Sequence, residues 1–134
     1  MTFASAPFTA GSLERAWSYH TGPLPAGART TFQATPLKIG DRLHFCTGDN
    51  DLIALDAESG REIWRFRPRV NREGVFVFIC RGVTHYRQPD AAADAPCAER
   101  IYTATVDARL LAVDAATGRQ CPGFGTNGAV DLLA

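Results

Sequence analysis

Short apolar runs of strand length, punctuated by turn residues, fill most of the chain, and helical periodicity is poor. Arg42-Leu43-His44-Phe45-Cys46-Thr47 alternates and then meets Gly48-Asp49-Asn50. Leu52-Ile53-Ala54-Leu55 leads into Asp56-Ala57-Glu58-Ser59-Gly60. Arg61-Glu62-Ile63-Trp64-Arg65-Phe66 alternates again, with Ile63 on one side and Trp64 on the other. Val75-Phe76-Val77-Phe78-Ile79-Cys80 is apolar throughout, which predicts a strand buried on both faces. Ile101-Tyr102-Thr103-Ala104-Thr105-Val106 predicts another strand, turning at Asp107-Ala108-Arg109. The best helical stretch, Ala91 to Ala95, is bracketed by Pro89 and Pro96 and reads as a loop.

One motif occurs twice. Leu52-Ile53-Ala54-Leu55-Asp56-Ala57-Glu58-Ser59-Gly60-Arg61 returns 58 residues later as Leu110-Leu111-Ala112-Val113-Asp114-Ala115-Ala116-Thr117-Gly118-Arg119. Each copy is a strand followed by a tight turn. Asp and Ser/Thr side chains can bond the turn backbone, and Gly supplies positive φ. Asp56 and Asp114 are therefore read as turn residues, not metal ligands. The repeat predicts an all-β fold of two blades, each of four short antiparallel strands, stacked radially as in a β-propeller. Residues 1–30 are assigned to an N-terminal strand and linker, 31–68 to the first blade, and 69–134 to the second. The second is enlarged by a loop insert at 87–98, rich in Ala, Asp and Pro, and its strands are expected between about Gly74 and Phe124. Two blades make an incomplete ring, so the expected partners are further blades or a second copy of the chain.

Composition narrows the partners. The 134 residues carry 14 Lys+Arg and 14 Asp+Glu, so nothing electrostatic favours nucleic acid or an anionic membrane. No apolar run reaches membrane-spanning length. The first residues lack the basic and apolar regions of a signal peptide, so work outside the cytoplasm would need a targeting segment elsewhere. The four cysteines show no C-x-x-C spacing, and His20 and His44 have no partner at metal spacing. A hairpin centred near Ala108 would bring Cys97 and Cys121 together, making them the preferred disulfide. Cys46 and Cys80, within apolar strands, are expected to be buried thiols.

Ala54-Leu55-Asp56-Ala57-Glu58-Ser59-Gly60-Arg61-Glu62-Ile63-Trp64 resembles the tryptophan-docking repeat of quinoprotein dehydrogenases. The second copy departs from it, with Cys121-Pro122 where the Trp region belongs. Phe32-Gln33-Ala34-Thr35-Pro36-Leu37-Lys38, Cys80-Arg81-Gly82-Val83 and Cys121-Pro122-Gly123-Phe124-Gly125-Thr126-Asn127-Gly128 resemble the first blades of the membrane-bound glucose/quinate/shikimate dehydrogenases, which use pyrroloquinoline quinone (PQQ). Leu13 to Gly22 resembles the N-terminal strand that completes that family's last blade.

The resemblance implies a periplasmic, membrane-anchored, eight-bladed quinoprotein propeller that oxidises a sugar or cyclic polyol and passes electrons to ubiquinone. The catalytic base and the Ca²⁺ or Mg²⁺ ligands would come from later blades, so this chain alone is expected to be inactive. Trp17 and Trp64 would be docking residues between blades. PQQ is a flat quinone with three carboxylates, so its site needs cations, polar groups and packing surfaces. Arg81 is the first candidate, because a guanidinium recognises carboxylate or quinone oxygens in plane. Gln33 is the second, placed where the family has Glu or Gln near the cofactor rim. His85 and Tyr86 could approach the same mouth, although a lone His or Tyr on a strand is more often structural. The family carries a His three residues before the Cys of Cys-Arg-Gly, and here that residue is Val77. Phe76 or Phe78 could supply packing in its place, but core positions suit both better. The competing interpretation is a non-catalytic propeller scaffold for protein–protein contact, which would need no Arg at the axis.

Overall fold

The computed structural model describes residues 11, 13–23 and 29–134. Its ten strands are β1 (Thr30–Phe32), β2 (Leu37–Ile39), β3 (Arg42–Cys46), β4 (Leu52–Asp56), β5 (Glu62–Phe66), β6 (Phe78–Cys80), β7 (Thr84–Arg87), β8 (Glu99–Ala104), β9 (Arg109–Asp114) and β10 (Ala129–Asp131). Two four-stranded sheets follow chain order, β2-β3-β4-β5 and β7-β8-β9-β10, antiparallel throughout. These are two propeller blades, as the repeat predicts. β1 and β6 stand apart from both and pair in parallel.

The core lies between the blades. Leu52 and Ala54 of β4, Trp64 of β5, and Ile101 and Val113 of the second blade belong to one buried cluster. All of Leu52 to Leu55 is buried, which explains why β4 reads as an unbroken apolar run rather than an alternating one. The repeat turns close as expected. Asp56 Oδ1 accepts the Ser59 N–H at 2.7 Å and its hydroxyl at 2.6 Å. Asp114 Oδ1 accepts the Thr117 N–H at 2.8 Å and its hydroxyl at 2.9 Å, while Oδ2 takes the Cys97 N–H at 2.6 Å.

The Cys97–Cys121 disulfide forms across the hairpin, spanning 24 residues of sequence. Cys46 and Cys80 are not thiols: they form a second disulfide between β3 and β6. Both are buried, as their apolar strands imply, but strand patterning carries no information about which strand faces which. Residues 88–98 run as turns without a helix.

Three other segments differ from expectation. The strand expected from Val75 shrinks to Phe78–Cys80, with Phe76 91% exposed and Val77 43% exposed. Its sole strand neighbour among the described residues is the three-residue β1, which reaches only Phe78 to Cys80 and leaves Phe76 and Val77 without a strand partner among those residues. The last strand of the second blade lies beyond Phe124, at Ala129–Asp131. After Gly118 the chain is diverted into the disulfide: Cys121 donates its N–H to Ala112 O, and residues 122–128 turn before β10 reaches Leu111. Residues 13–23 pair with no strand among the described residues. They are instead fastened to β5, where Arg65 bonds the Thr21 carbonyl at 3.0 Å and the Tyr19 hydroxyl at 2.8 Å.

Candidate functional site

The parallel pair brings the two foremost candidates together. β1 and β6 align Thr30 with Phe78, Thr31 with Ile79 and Phe32 with Cys80. Gln33 and Arg81 are the next residues on each strand, so they leave the same end of the pair side by side. The chain beyond is tied there as well, since Thr35 donates its N–H to the Arg81 carbonyl at 3.3 Å. Both side chains are exposed. Arg81 makes no salt bridge among the described residues, whereas Arg42, Arg65, Arg67, Arg72, Arg87 and Arg109 all do. Phe32, 52% exposed, precedes Gln33 but lines a separate hollow with Tyr19 and Arg65.

A guanidinium with no salt bridge among the described residues and a neighbouring carboxamide form a donor pair that fits a flat, multiply anionic group. The guanidinium would take a carboxylate, and the amide would bond a quinone oxygen. The mouth is open surface in this chain. Two hollows among the described residues are lined by neither Gln33 nor Arg81. One, of about 520 Å³, sits by Tyr19, Asp51 and Arg65; the other, of about 700 Å³, sits between Arg42 and His44 of the first blade and the 93–97 loop of the second.

The remaining candidates go elsewhere. His85 faces Glu99, with Nε2 3.7 Å from its carboxylate, and Tyr86 is exposed on the same strand. Phe78 is core, with the Arg72 guanidinium 5.0 Å from its ring centre, but Phe76 stands almost wholly in solvent. His44 is buried at the blade interface, tilted against Trp64 and with Nε2 3.4 Å from the Ala115 carbonyl. Burial pushes its pKa down, against the pull of that carbonyl. No cluster of His, Cys, Asp and Glu among the described residues is suited to a metal ion.

Sequence reasoning missed the Cys46–Cys80 cross-link directly behind Arg81. The signal available was adjacency: a cysteine one residue from the first-ranked cofactor candidate has its backbone fixed by whatever its sulfur joins.

Residues 7–134 match the family described as PQQ glucose/ethanol/alcohol dehydrogenase, beta-propeller domain. The chain is 40% identical over 131 residues to the glycerol dehydrogenase large subunit of Gluconobacter oxydans (strain 621H), covering 95% of this chain and 18% of that protein. It is 37% identical over 137 residues to the quinate/shikimate dehydrogenase (quinone) of Acinetobacter baylyi (strain ATCC 33305 / BD413 / ADP1), covering 90% of this chain and 17% of that one. The chain therefore spans less than a fifth of the length of these curated relatives. Among solved structures, the quinohemoprotein alcohol dehydrogenase of Comamonas testosteroni shares the fold, with a TM-score of 0.60 at 22% identity over 79% of this chain and 14% of that one. Two antiparallel blades, the docking repeat and this sequence match together establish that the chain belongs to the β-propeller family of PQQ-dependent glucose, ethanol and alcohol dehydrogenases.

Proposed function

We propose that the protein containing this chain is a PQQ-dependent dehydrogenase of sugars or polyols, and that this segment forms one flank of its cofactor pocket through Arg81 and Gln33. The observation that carries the reading is the placement of Arg81, without a salt bridge among the described residues, beside Gln33 at the end of the parallel β1–β6 pair. Arg81 binds a carboxylate or quinone oxygen and fixes the orientation of the ring, and Gln33 bonds its rim. When bound, PQQ supplies the two-electron redox chemistry. The substrate class is that of glucose, quinate and shikimate, extended to open-chain polyols by the likeness to a glycerol dehydrogenase. Electrons pass to ubiquinone, and the site works on the periplasmic side of an anchored protein. Later blades supply the base and a Ca²⁺ or Mg²⁺ ion, so the isolated chain turns nothing over.

The test is PQQ titration of the full-length apoenzyme, followed by dye reduction with glucose, quinate, shikimate and glycerol. Loss of one charge-assisted hydrogen bond is worth about 1.5–3 kcal/mol, or roughly ten- to a hundredfold in affinity. Arg81→Ala is expected to weaken PQQ by that factor, and Gln33→Ala by less. Unchanged affinity in Arg81→Ala would remove Arg81 from the pocket. Absence of PQQ binding by the wild-type protein would favour the scaffold interpretation.

A further inference from the structure

The two blades build the same turn between their second and third strands, and comparing them isolates one residue. In the first blade Thr47 donates its N–H to Asp51 O at 2.9 Å, and Asn50 donates to Thr47 O at 2.9 Å. In the second, Thr105 donates to Arg109 O at 2.9 Å, and Ala108 donates to Thr105 O at 3.0 Å. Asn50 and Ala108 occupy the same left-handed position, with φ of 65° and 61°. Asn adopts that conformation more readily than Ala, yet the turn forms with either. The turn itself therefore does not require the Asn50 amide.

What the amide does is reach outside the turn. Asn50 is fully buried. Its Nδ2 donates to the Ile79 carbonyl of β6 at 3.2 Å, and its Oδ1 accepts the Val106 N–H of the second blade's turn at 2.8 Å. Gly48 makes this approach possible, because a Cβ there would lie 2.0 Å from Thr30 Cγ2 and 3.3 Å from the Phe78 carbonyl. The equivalent residue in the second blade is Val106. At both positions where the two turns differ in this way, the residue of the first blade is the one that meets the β1–β6 pair.

β6 has three residues and one short neighbour, so its own ladder cannot hold it firmly. It is fixed at consecutive points instead. Asn50 holds Ile79, the disulfide to Cys46 holds Cys80, and the Thr35 N–H holds the carbonyl of Arg81. We infer that Asn50 is a positioning residue for the cofactor: its buried amide sets the strand that aims Arg81 at PQQ. This inference rests on the cofactor role proposed for Arg81. Without the amide, the Ile79 carbonyl and Val106 N–H lose their partner, and the strand end is free to shift.

The test is a double-mutant cycle in the full-length apoenzyme, read as the dissociation constant for added PQQ, with thermal unfolding of each apo form alongside. Asn50→Gly keeps the positive φ and removes both side-chain bonds; Asn50→Asp keeps the acceptor for Val106 but loses the donor to Ile79. Asn50→Gly is expected to weaken PQQ at least tenfold, and Asn50→Asp to weaken it in the same direction. In an Arg81→Ala background, Asn50→Gly is expected to change affinity by less than about twofold, because groups acting through one contact do not add. Equal losses in both backgrounds would overturn the inference and leave a merely structural role. Wild-type affinity in a folded Asn50→Gly or Asn50→Asp protein would overturn it as well, and Asn50→Asp decides alone if the Gly variant does not fold. Wild-type affinity in Arg81→Ala is a separate outcome: it removes the cofactor role first, and the inference with it.

Discussion

The ring of Trp64 lies over Gly118 so closely that a Cβ on that glycine would stand 2.6 Å from Cδ2 and Cε3. The same indole donates its N–H to the Ala115 carbonyl at 3.0 Å, joining the outer strand of one blade to the repeat turn of the next. Trp17 stands in the same relation to Gly60, with a Cβ there 2.4 Å from the ring. The glycine of the Asp-x-x-Ser/Thr-Gly turn thus serves two needs at once. It adopts φ of 71° in both copies, and it leaves a flat seat for a tryptophan.

That seat predicts a coupled pair. Gly118→Ala combines left-handed strain with overpacking and is expected to cost about 2–5 kcal/mol. Trp64→Ala is expected to cost about 3–5 kcal/mol through the cavity it leaves. Combined, the two should cost less than their sum, because removing the indole removes the clash. Urea unfolding of the four forms of the full-length protein measures this, and strict additivity would contradict the seat.

The disulfides are expected to separate by function. Replacing Cys97 and Cys121 by Ser opens a loop spanning 24 residues and should cost about 3 kcal/mol, with PQQ affinity little changed. Replacing Cys46 and Cys80 by Ser opens one spanning 34 residues at a similar cost, and should also weaken PQQ because Cys80 precedes Arg81. Paired unfolding and PQQ titrations check both, and equal PQQ affinity in the two double variants would refute the distinction.

Acid should act in two stages. His44 is buried with no partner for Nδ1 among the described residues, and burial lowers its pKa; the Ala115 carbonyl and Glu99 pull the other way, while Arg42 and His85 reinforce the shift. The unfolded chain therefore binds this proton first. Stability from neutral His44 is complete above about pH 6.5 and is lost as pH falls below it. Burial alone would raise the pKa of Asp107, but hydrogen bonds from Arg109, Thr105 and the Asn71 N–H outweigh it and hold the carboxyl at about 2. Its contribution is present above the unfolded value of 3.8 and is lost as pH falls through that value toward 2. Urea midpoints from pH 8 to pH 3 should show both declines. His44→Gln should abolish the first, and Asp107→Asn should reduce the second.

Val77 stands where the family's resemblance places a histidine, and it is 43% exposed. Val77→His restores the ring that the resemblance implies, immediately before β6 and four residues before Arg81, and is expected to tighten PQQ binding by several-fold. Titration of the full-length apoenzyme measures it; unchanged or weaker binding would show that the divergent residue is compensated elsewhere.

Much of this fold is legible in residue order because its determinants are local. The repeat encodes each third strand together with its turn, since Asp56 and Asp114 bond residues two or three positions along. The Cys97–Cys121 bridge follows from hairpin geometry, where one turn dictates which ends meet. Gln33 and Arg81 could be singled out by their chemistry and by the motifs around them. The exposed start of the Val75–Cys80 run was not legible, because hydrophobicity reports the wish for burial and not the presence of a cover.

Chain order alone therefore determined the blade and its turns, and named Arg81 and Gln33 as candidates. Tertiary structure decided who meets whom: Cys46 with Cys80, Gln33 beside Arg81, and Asn50 bridging Ile79 and Val106. The first and third join different sheets, and the second joins strands far apart in the chain. A period of two along a strand records which face is buried, but the partner across that face is selected by packing whole sheets against one another.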